Sequence, residues 1–529
     1  MTNTAEKFAA EVRNIAATAG IIQAIHAYNK AINDNPSDVG FKNEFIKFLQ
    51  VMNLRIESNT LKNLMTHCLT DPATEWHNAG ASWYTLLLND PSFKPLPKLV
   101  KIEKYQEFVE KIALAANAPF LNDPYFIYGL GRLTVRDVDF ERFLTFLRRY
   151  MLEYRETSKL PPSIPYVLSR YCRRTEYVFY ESEEEKAILK QLQLKERDQV
   201  LLSFYRPIER ADILPNASPA WAALEAEQIN AAQAIRDTAA KITPLTKIDD
   251  GVSALVRGMY EKYPYPAWDS ISLRPADEVE RTALADSKKI LSAGCGTGKE
   301  AIELAMAYPH THVLGIDLST TSLAYAQNRA QEMGIKNIAF QQADILKLPE
   351  TGLVFDFIAT SGVLHHIQDP LKGWAALTAV LKPKGMMRVA LYSTRARWAV
   401  HEAIAAKEKK GYGREDDDIR RFRNDSRKLM RGKAWKHLTT YHDYYYLNEC
   451  CDMLFHVQEQ DYTPLELAGA MEELGLQFEK FFVSDKTMES YRKMFKDDPE
   501  GKSLINWDKF EHKNPDTFRG MLQFWCKKK

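Results

Sequence analysis

The stretch SAGCGTGKE occupies residues 292–300, and it decides the fold of the C-terminal half. Its three glycines, Gly294, Gly296 and Gly298, alternate with Cys295 and a threonine. Glycine lets a backbone turn tightly and approach a ligand closely. The loop follows the apolar run KKILS, which predicts a strand, and precedes EAIELAMAY, which predicts a helix. A strand, a glycine loop and a helix in this order are typical of a ligand-binding sheet edge.

The same alternation continues along the chain. Strands are predicted at KKILSAG, THVLGID, NIAFQQAD, VFDFIAT and MMRVALYS, with helical stretches between them. Two further strand-like runs, QFEKFFV and GMLQFWC, lie near the C-terminus. This pattern predicts an α/β fold in which a mostly parallel sheet is covered by helices on both faces.

A glycine-rich loop of this kind can bind three kinds of ligand. A phosphate loop needs a hydroxyl residue after its lysine, but Glu300 occupies that position. A dinucleotide fingerprint places its third glycine one position later than Gly298. Asp317 ends the next strand, where an acid can bind both hydroxyls of a ribose. That acid is shared by NAD sites and S-adenosylmethionine sites, so it leaves both open.

The third strand distinguishes these two ligands. It ends in Asp344 and Ile345, an acid that can accept from the exocyclic amine of adenine and an apolar side chain that can cover the ring. After the fourth strand comes TSGVLHHIQDP, residues 360–370. Three consecutive strand ends thus offer a glycine loop, a ribose acid and an adenine acid at one edge.

Five motifs in the same order, GCGTG, GID, QAD, GVLHHIQDP and LKPKG, resemble class I S-adenosylmethionine-dependent methyltransferases. The resemblance implies a Rossmann-like sheet of seven strands, with S-adenosyl-L-methionine as the cofactor and no metal. Many members carry an acid two residues before the first glycine, where this chain has Ser292. The residues expected to bind the cofactor are Gly294, Cys295, Gly296, Gly298, Asp317, Leu318, Asp344, Ile345 and Ser361.

Segments outside the sheet extend the resemblance. MYEKYPYPAW (259–268), CCDMLFHVQEQDYTP (450–464) and RRTEYVFYESEEE (173–185) look like a bacterial subgroup that joins a helical N-terminal half to this domain. The subgroup is similar to rickettsial protein lysine methyltransferases. The resemblance therefore implies methyl transfer to protein lysine side chains. One alternative is that the substrate is a small molecule or a glycan precursor. Another is that the protein is a non-catalytic scaffold that binds the cofactor.

The organisation follows from where the pattern changes. Residues 1–250 are predicted to be helical, as one or two subdomains serving interaction or dimerisation. Residues 251–285 form a lead-in segment, and 286–529 form the methyltransferase domain. The charged and aromatic segment 395–460 interrupts the alternation, and we interpret it as an inserted cap. Within it, the mixed-sign run 413–436 is predicted to be a solvated helix face rather than a docking surface for an acidic partner.

Candidate substrate-site residues are His365, Tyr265 and Tyr445. His365 and His366 follow the fourth strand, and one of them is expected to line the pocket. Tyr265 lies in a rigid segment between prolines that serves either as a lid or as a linker. Tyr445 lies among tyrosines that form either a channel for a cation or a packed helix face. His456 and Glu459 are spaced i, i+3 on a predicted helix. Either they form a polar pair near the site or, as the favoured interpretation, His456 is a buried histidine with its hydrogen bonds satisfied.

Charge and cysteine content restrict the partners. The 71 basic and 70 acidic residues leave a net charge of +1, which gives no general attraction to nucleic acid. The sequence contains no run of 18 apolar residues, so membrane insertion is not expected. The six cysteines form no CxxC pair, which suits a reducing cytoplasm. We expect a protein substrate as the partner, and a homodimer as the assembly that the helical half would support.

Overall fold

The computed structural model describes residues 4–51, 59–71, 73–76, 79–115, 119–192, 195–209, 218–248 and 276–529, with 258, 261, 268 and 271 as single residues. The chain divides into two compact units. Unit 1 comprises Met1–Asn230, Gly413–Asp425 and Thr439–Cys450. Unit 2 comprises Ala231–Tyr412, Ser426–Leu438 and Cys451–Lys529.

The N-terminal part of unit 1 is built from helices, as predicted. The helix Val138–Glu153 shows how the sequence specifies them. At its start, the side chain of Asp137 accepts hydrogen bonds from the N–H groups of Asp139 and Phe140, which would otherwise lack partners. Its buried face carries apolar residues at helical spacing: Phe140, Phe143, Leu144, Leu147 and Met151. The amphipathic pattern therefore determines both where the helix begins and which face it buries.

The α-helices before the sheet are Thr4–Thr18, Ile21–Asp34, Val39–Val51, Asn59–Thr70, Gly80–Asn89, Leu96–Val100, Tyr105–Ala115, Pro124–Arg132, Val138–Glu153, Ser163–Arg174, Glu183–Leu189, Glu196–Leu202, Pro219–Ala239 and Glu278–Leu284. Among the described helices, none combines the length and apolar character needed to cross a bilayer.

The described residues of unit 2 form one seven-stranded sheet. Its strands, numbered β1 to β7 in chain order, are Lys289–Ala293, His312–Asp317, Ile338–Gln342, Phe355–Ser361, Leu381–Leu391, Leu476–Phe481 and Leu522–Lys528. They lie in the order β3-β2-β1-β4-β5-β7-β6. Strands β1 to β5 run parallel to one another, and β7 is antiparallel to both β5 and β6. The prediction of seven strands, with the last two near the C-terminus, is confirmed.

Both faces of the sheet are buried. Side chains alternate between faces along a strand. Leu291 and Ile358 therefore belong to the core on one face, and Ile290 and Phe357 to the core on the other. With both faces covered, the carboxyl edge of the parallel strands is where a ligand can approach.

The α-helices of the C-terminal half are Lys299–Ala307, Thr320–Glu332, Pro370–Val380, Trp398–Lys410, Asp416–Leu429, Gly432–Leu438, Leu447–Phe455, Pro464–Glu473, Asp485–Met494 and Leu504–Lys513. The helix Pro464–Glu473 begins with a capping box, in which Thr463 and Glu466 bond each other's backbone N–H. The helices Asp485–Met494 and Leu504–Lys513, which lie between β6 and β7, were missed by the sequence reasoning.

The segment predicted as an inserted cap does not group as a whole with the sheet. Two of its pieces, Gly413–Asp425 and Thr439–Cys450, belong to unit 1. The prediction of a solvated face for 413–436 is wrong for part of this run. Arg423 is buried within unit 1, where its guanidinium binds Glu141 at 2.8 Å. A partner 282 residues away in sequence compensates the buried charge, and no local pattern could indicate it.

Candidate active site

The glycine loop has the conformation that only glycine adopts freely. Gly294, Gly296 and Gly298 all have positive φ, at 67°, 52° and 79°. A Cβ added at Gly294 would lie 2.3 Å from a methyl of Val363, and one at Gly298 would lie 2.5 Å from Cβ of Ala326. The loop therefore packs so closely against the rest of the sheet edge that no side chain fits at either position.

Asp317 connects the end of β2 to this loop. Its Oδ2 accepts a hydrogen bond from the N–H of Gly296 at 2.8 Å, and its Oδ1 accepts one from Ser319 at 2.9 Å. Burial raises the pKa of this carboxyl, while the backbone N–H donors oppose the shift. A carboxylate offers about four lone-pair sites, so capacity remains for ribose hydroxyls.

Asp344 follows β3, the strand paired with β2, and its side chain is buried. Its Oδ1 accepts from the N–H of Leu346 at 2.9 Å, while its own N–H donates to Thr246. Ile345 beside it is buried in the core. The predicted adenine acid and its apolar neighbour thus lie one strand away from Asp317, as the parallel register requires. Leu318 contributes a carbonyl that accepts from the side-chain amide of Gln342 at 2.8 Å.

Cys295 and Ser361 take secondary positions at this edge. Cys295 is half-buried, and burial raises the pKa of its thiol well above the ordinary value, so it remains a thiol rather than a nucleophilic thiolate. The hydroxyl of Ser361 donates to Glu300 at 3.0 Å. Glu300 in turn binds the guanidinium of Arg388 at 2.7 Å. This acid therefore belongs to a polar network between β4, β5 and the helix that follows the loop.

Ser292 stands where many class members carry an acid. Its side chain is buried, and its hydroxyl has no hydrogen-bond partner among the described residues. A hydroxyl in this environment is a weak ligand site compared with a carboxylate. The amino-acid end of a cofactor must therefore be held here by other groups.

The two histidines after β4 have different environments. His365 is fully buried, and neither of its ring nitrogens has a hydrogen-bond partner among the described residues. Its ring lies 4.2 Å from the ring of Tyr392. His366 has its Nδ1 3.1 Å from the carbonyl of Gln458, and its ring stacks on His456 at 3.7 Å. Of the pair, His365 is the one whose ring is still available for a ligand.

Of the two predicted tyrosines, Tyr445 is within the described residues. Tyr265 is outside the described residues. Trp268, from the same aromatic segment, donates its indole N–H to the carbonyl of Thr297 at 3.0 Å and so contacts the glycine loop. Tyr445 belongs to unit 1, in the short turn Asp443–Tyr445, and its hydroxyl donates to the carbonyl of Thr439 at 2.9 Å. Burial raises the pKa of Tyr445, so its hydroxyl stays protonated at neutral pH.

The helix that was expected to carry both His456 and Glu459 ends at Phe455, so the two residues do not lie on one helix. Glu459 instead binds the guanidinium of Arg397 at 2.6 Å. Arg397 precedes the helix Trp398–Lys410 and lies over the ring of Tyr392 at 3.8 Å. Sequence reasoning missed Tyr392 and Arg397; the partner of Arg397, Glu459, lies 62 residues away in sequence.

Two groups of side chains within the described residues have metal-ligand geometry. His366, Asp452 and His456 form one, and His442, Asp443 and Glu449 form the other, each with ligand atoms within 4.8 Å of one another. In the first, Nδ1 of His456 accepts the N–H of Gln458 at 3.0 Å, which places the ring proton on Nε2. In the second, His442 pairs directly with Glu449 at 2.6 Å. Hydrogen bonds therefore already occupy nitrogens that a metal would need.

The sheet order, the glycine loop and the two strand-end acids agree with the fold of class I S-adenosylmethionine-dependent methyltransferases. Residues 284–468 match the family model described as a methyltransferase domain. The residues at the edge fit this cofactor: a backbone loop for its amino-acid end, Asp317 for the ribose, and Asp344 with Ile345 for adenine.

Three known proteins illustrate the similarity. An uncharacterized protein of Synechococcus sp. is 31% identical over 264 residues, which are 45% of this chain and 62% of that protein. The ubiquinone biosynthesis O-methyltransferase of Haemophilus ducreyi is 36% identical over 105 residues, 19% of this chain and 43% of the relative. The solved structure of PKMT2 from Rickettsia typhi in complex with AdoHcy shares 20% identity, covers 47% of this chain and 52% of that chain, and has a TM-score of 0.36. The chain thus spans less than two thirds of the length of each.

Proposed function

We propose that this protein transfers methyl groups from S-adenosylmethionine to lysine side chains of a protein substrate. The observation that carries the methyl-transfer part is the carboxylate of Asp317, fixed on the N–H of Gly296 at the edge where the loop and Asp344 meet. When bound, the cofactor supplies a sulfonium methyl that is already activated for transfer. The chain's own residues then have to orient the two reactants and exclude water.

A lysine acceptor must be neutral when it attacks, because a protonated amine has no lone pair. A buried, aromatic environment lowers the pKa of an amine and supplies this condition. The buried ring of His365 and the half-buried ring of Tyr392 provide such surroundings next to the end of β4. We propose His365 as a residue that lines the path of the acceptor.

The choice of a protein as substrate is supported by the helical part of the chain. Met1–Asn230 lies outside the unit that carries the sheet and adds a large surface that a small substrate does not need. The near-zero net charge does not favour nucleic acid as an alternative. The expected setting is the cytoplasm, and the expected assembly is a homodimer.

A second candidate is methylation of a small molecule. It is favoured by the similarity to the ubiquinone biosynthesis O-methyltransferase of Haemophilus ducreyi, which covers 19% of this chain. The two candidates share the cofactor edge and differ in the acceptor.

The test is transfer of tritium from labelled S-adenosylmethionine to a dialysed bacterial lysate, with separate counting of protein and low-mass fractions. We expect label in protein, located on lysine by mass spectrometry, and none with the Asp317→Ala variant. Label only in the low-mass fraction would select the second candidate. The absence of label from both fractions with the wild-type protein would contradict methyl transfer altogether.

The role of His365 has its own test. Replacement by phenylalanine keeps a ring of similar size and removes the unpartnered nitrogens. We expect the transfer rate of His365→Phe to fall at least about tenfold, with unchanged affinity for S-adenosylhomocysteine by calorimetry. A variant as active as wild type would remove His365 from the site.

A further inference from the structure

Acidic side chains stand on both sides of the glycine loop at the cofactor edge. Asp317 ends β2 and Asp344 follows β3, so both lie on one side of β1 in the sheet order β3-β2-β1-β4. Glu300, in the first turn of the helix Lys299–Ala307, lies on the other side. Its Oε1 accepts a hydrogen bond from the hydroxyl of Ser361, the last residue of β4, at 3.0 Å. The acids on β2 and β3 have the ribose and adenine as expected ligands, whereas Glu300 has no assigned role.

Two hydrogen bonds hold the carboxylate of Glu300 in place. Besides Ser361, the guanidinium of Arg388 on β5 donates to its Oε1 at 2.7 Å. Burial alone would lower the pKa of Arg388, but Glu300 and then Glu280 raise it, so the guanidinium stays charged. Both bonds end on Oε1, and Oε2 accepts none from the described residues. The side chain of Glu300 is 26% exposed, so a fixed carboxylate keeps one oxygen open to a ligand.

The register of the sheet shows where this carboxylate lies. Ser292, Ala359 and Arg388 are paired across β1, β4 and β5, so their side chains point to the same face. Ser361 lies two residues after Ala359 and shares that face, one step nearer the carboxyl edge. Neighbouring strands lie about 4.8 Å apart. The carboxylate bound to Ser361 therefore lies beside the position of Ser292, where many class members carry an acid.

A serine at position 292 is compatible with an acid next to it. The hydroxyl of Ser292 is uncharged, buried and without a hydrogen-bond partner among the described residues. A second carboxylate there would place two like charges on neighbouring strands, which disfavours the ionised form of both. The negative charge beside β4 therefore stands on the helix after the loop rather than on β1.

The order of the strand ends indicates which part of the cofactor reaches Glu300. S-adenosylmethionine extends from adenine through ribose to an amino-acid end that carries an ammonium and a carboxylate. With Asp344 after β3 for adenine and Asp317 on β2 for ribose, the amino-acid end falls at β1 and β4. Backbone N–H groups of the glycine loop suit the carboxylate of this end. Its ammonium has donors only, so it needs an acceptor, and a carboxylate gives the stronger, charge-assisted bond.

We propose that Glu300 binds the α-ammonium of the cofactor through Oε2, and that Ser361 and Arg388 position its carboxylate. This inference rests on the cofactor edge of the proposed function and adds the group that holds the amino-acid end. It makes Glu300 a residue that determines specificity, because a ligand without the α-amino group leaves Oε2 without its partner.

The test measures binding, not transfer. Calorimetry gives the affinities of S-adenosylhomocysteine and of its desamino analogue, in which hydrogen replaces the α-amino group. Wild type should prefer S-adenosylhomocysteine at least about tenfold, which corresponds to about 1.4 kcal/mol. Glu300→Gln keeps an acceptor for Ser361 but removes the charge. Its preference should fall below threefold, because S-adenosylhomocysteine binds more weakly while the desamino analogue binds as before.

Two further variants separate charge from position. Glu303 lies one turn further along the same helix and also acts on the charge of Arg388, so Glu303→Gln is the matched control and should keep the wild-type preference. Glu300→Asp keeps the charge but shortens the side chain by one methylene. It should retain only part of the preference.

Equal weakening of both ligands by Glu300→Gln would overturn the inference, because Glu300 would then only order the loop. A wild-type protein that binds both ligands equally would overturn it as well. If Glu300→Gln does not fold, Glu300→Asp decides, and an unchanged preference in that variant would refute the contact. These outcomes leave methyl transfer by the wild-type protein intact. Failure of wild type to bind either ligand would instead refute the cofactor edge and the proposed function with it.

Discussion

The carboxylate of Asp317 accepts a hydrogen bond from the backbone N–H of Gly296 at 2.8 Å. This contact joins the end of β2 to the glycine loop after β1, so the acid and the loop, which we propose as cofactor-binding groups, are held as one unit. The acid therefore orders the loop, and we propose that it also offers oxygens to a ribose.

We predict that Asp317→Ala weakens cofactor binding at least about tenfold, because hydrogen bonds to a charged group contribute about 1.5–3 kcal/mol each. Calorimetry with S-adenosylhomocysteine measures this. Asp356→Ala is the matched control, since Asp356 also caps sheet backbone, at Lys288 and Lys289, but at the opposite edge. It should lose stability and keep its affinity. Equal affinities for wild type and Asp317→Ala would refute the assignment of the cofactor edge.

The glycine positions of the loop should not tolerate a side chain. Gly298→Ala combines a positive φ with a Cβ that would lie 2.5 Å from Ala326. Gly334→Ala has a similar φ of 70° and no atom within 4 Å, so it isolates the conformational cost of about 1–2 kcal/mol. We expect Gly298→Ala to lower the free energy of unfolding by about 1–3 kcal/mol more than Gly334→Ala, in urea titrations. Equal losses would mean that the loop is free to move away from the helix Thr320–Glu332.

Ser292 should prove dispensable for the cofactor. Its buried hydroxyl has no partner among the described residues, so removing it avoids a desolvation cost. We predict that Ser292→Ala unfolds at an equal or higher temperature and binds S-adenosylhomocysteine within twofold of wild type. Ser319→Ala provides the contrast, because its hydroxyl caps a helix by accepting from Ser322, and its loss should cost about 1 kcal/mol. A tenfold loss of affinity in Ser292→Ala would show that the serine holds the ligand.

Glu176 makes the stability of unit 1 depend on pH. Burial raises its pKa to about 8, with Glu449 and Asp416 adding to the shift, while the N–H of Asn448 opposes it. The folded state thus keeps a proton that the unfolded state releases above its ordinary pKa of 4.5. Between about pH 4.5 and 8 this group lowers the free energy of unfolding by about 1.4 kcal/mol per pH unit, and stability falls as pH rises.

We therefore predict that Glu176→Gln, which keeps an acceptor for Asn448, is more stable relative to wild type at pH 8 than at pH 5. Urea titrations at both pH values measure the difference, and the exposed acid Glu183 supplies the control variant Glu183→Gln. A constant difference between wild type and Glu176→Gln at the two pH values would show that Glu176 is ionised in the folded state throughout this range.

The sequence predicts the residues at the edge of the sheet better than it predicts the structure of the segment 395–460. Strand ends and the glycine loop are local patterns, and parallel strands bring their carboxyl ends to one edge. The order of Asp317 and Asp344 could therefore be predicted. The end of the helix at Phe455 could not be predicted. The assignment of His456 and Glu459 to one helix failed for that reason.

The prediction for residues 413–436 failed for a different reason. Charge density predicts a solvated face, because most charged residues stay in water. Arg423 departs from that rule since Glu141 lies 2.8 Å from its guanidinium and compensates its burial. Only the fold brings these two residues together.

The sequence by itself determined the seven strands, the glycines with positive φ and the acids at successive strand ends. Each of these follows from local sterics and from the periodicity of apolar residues. Tertiary structure alone decided which charged groups are buried and how they pair. Desolvation depends on every neighbour within a few ångströms, whatever its distance along the chain. For that reason, the Oε2 atom of Glu459 and the hydroxyl of Ser292 could be recognised only in the folded protein. Neither atom has a hydrogen-bond partner among the described residues.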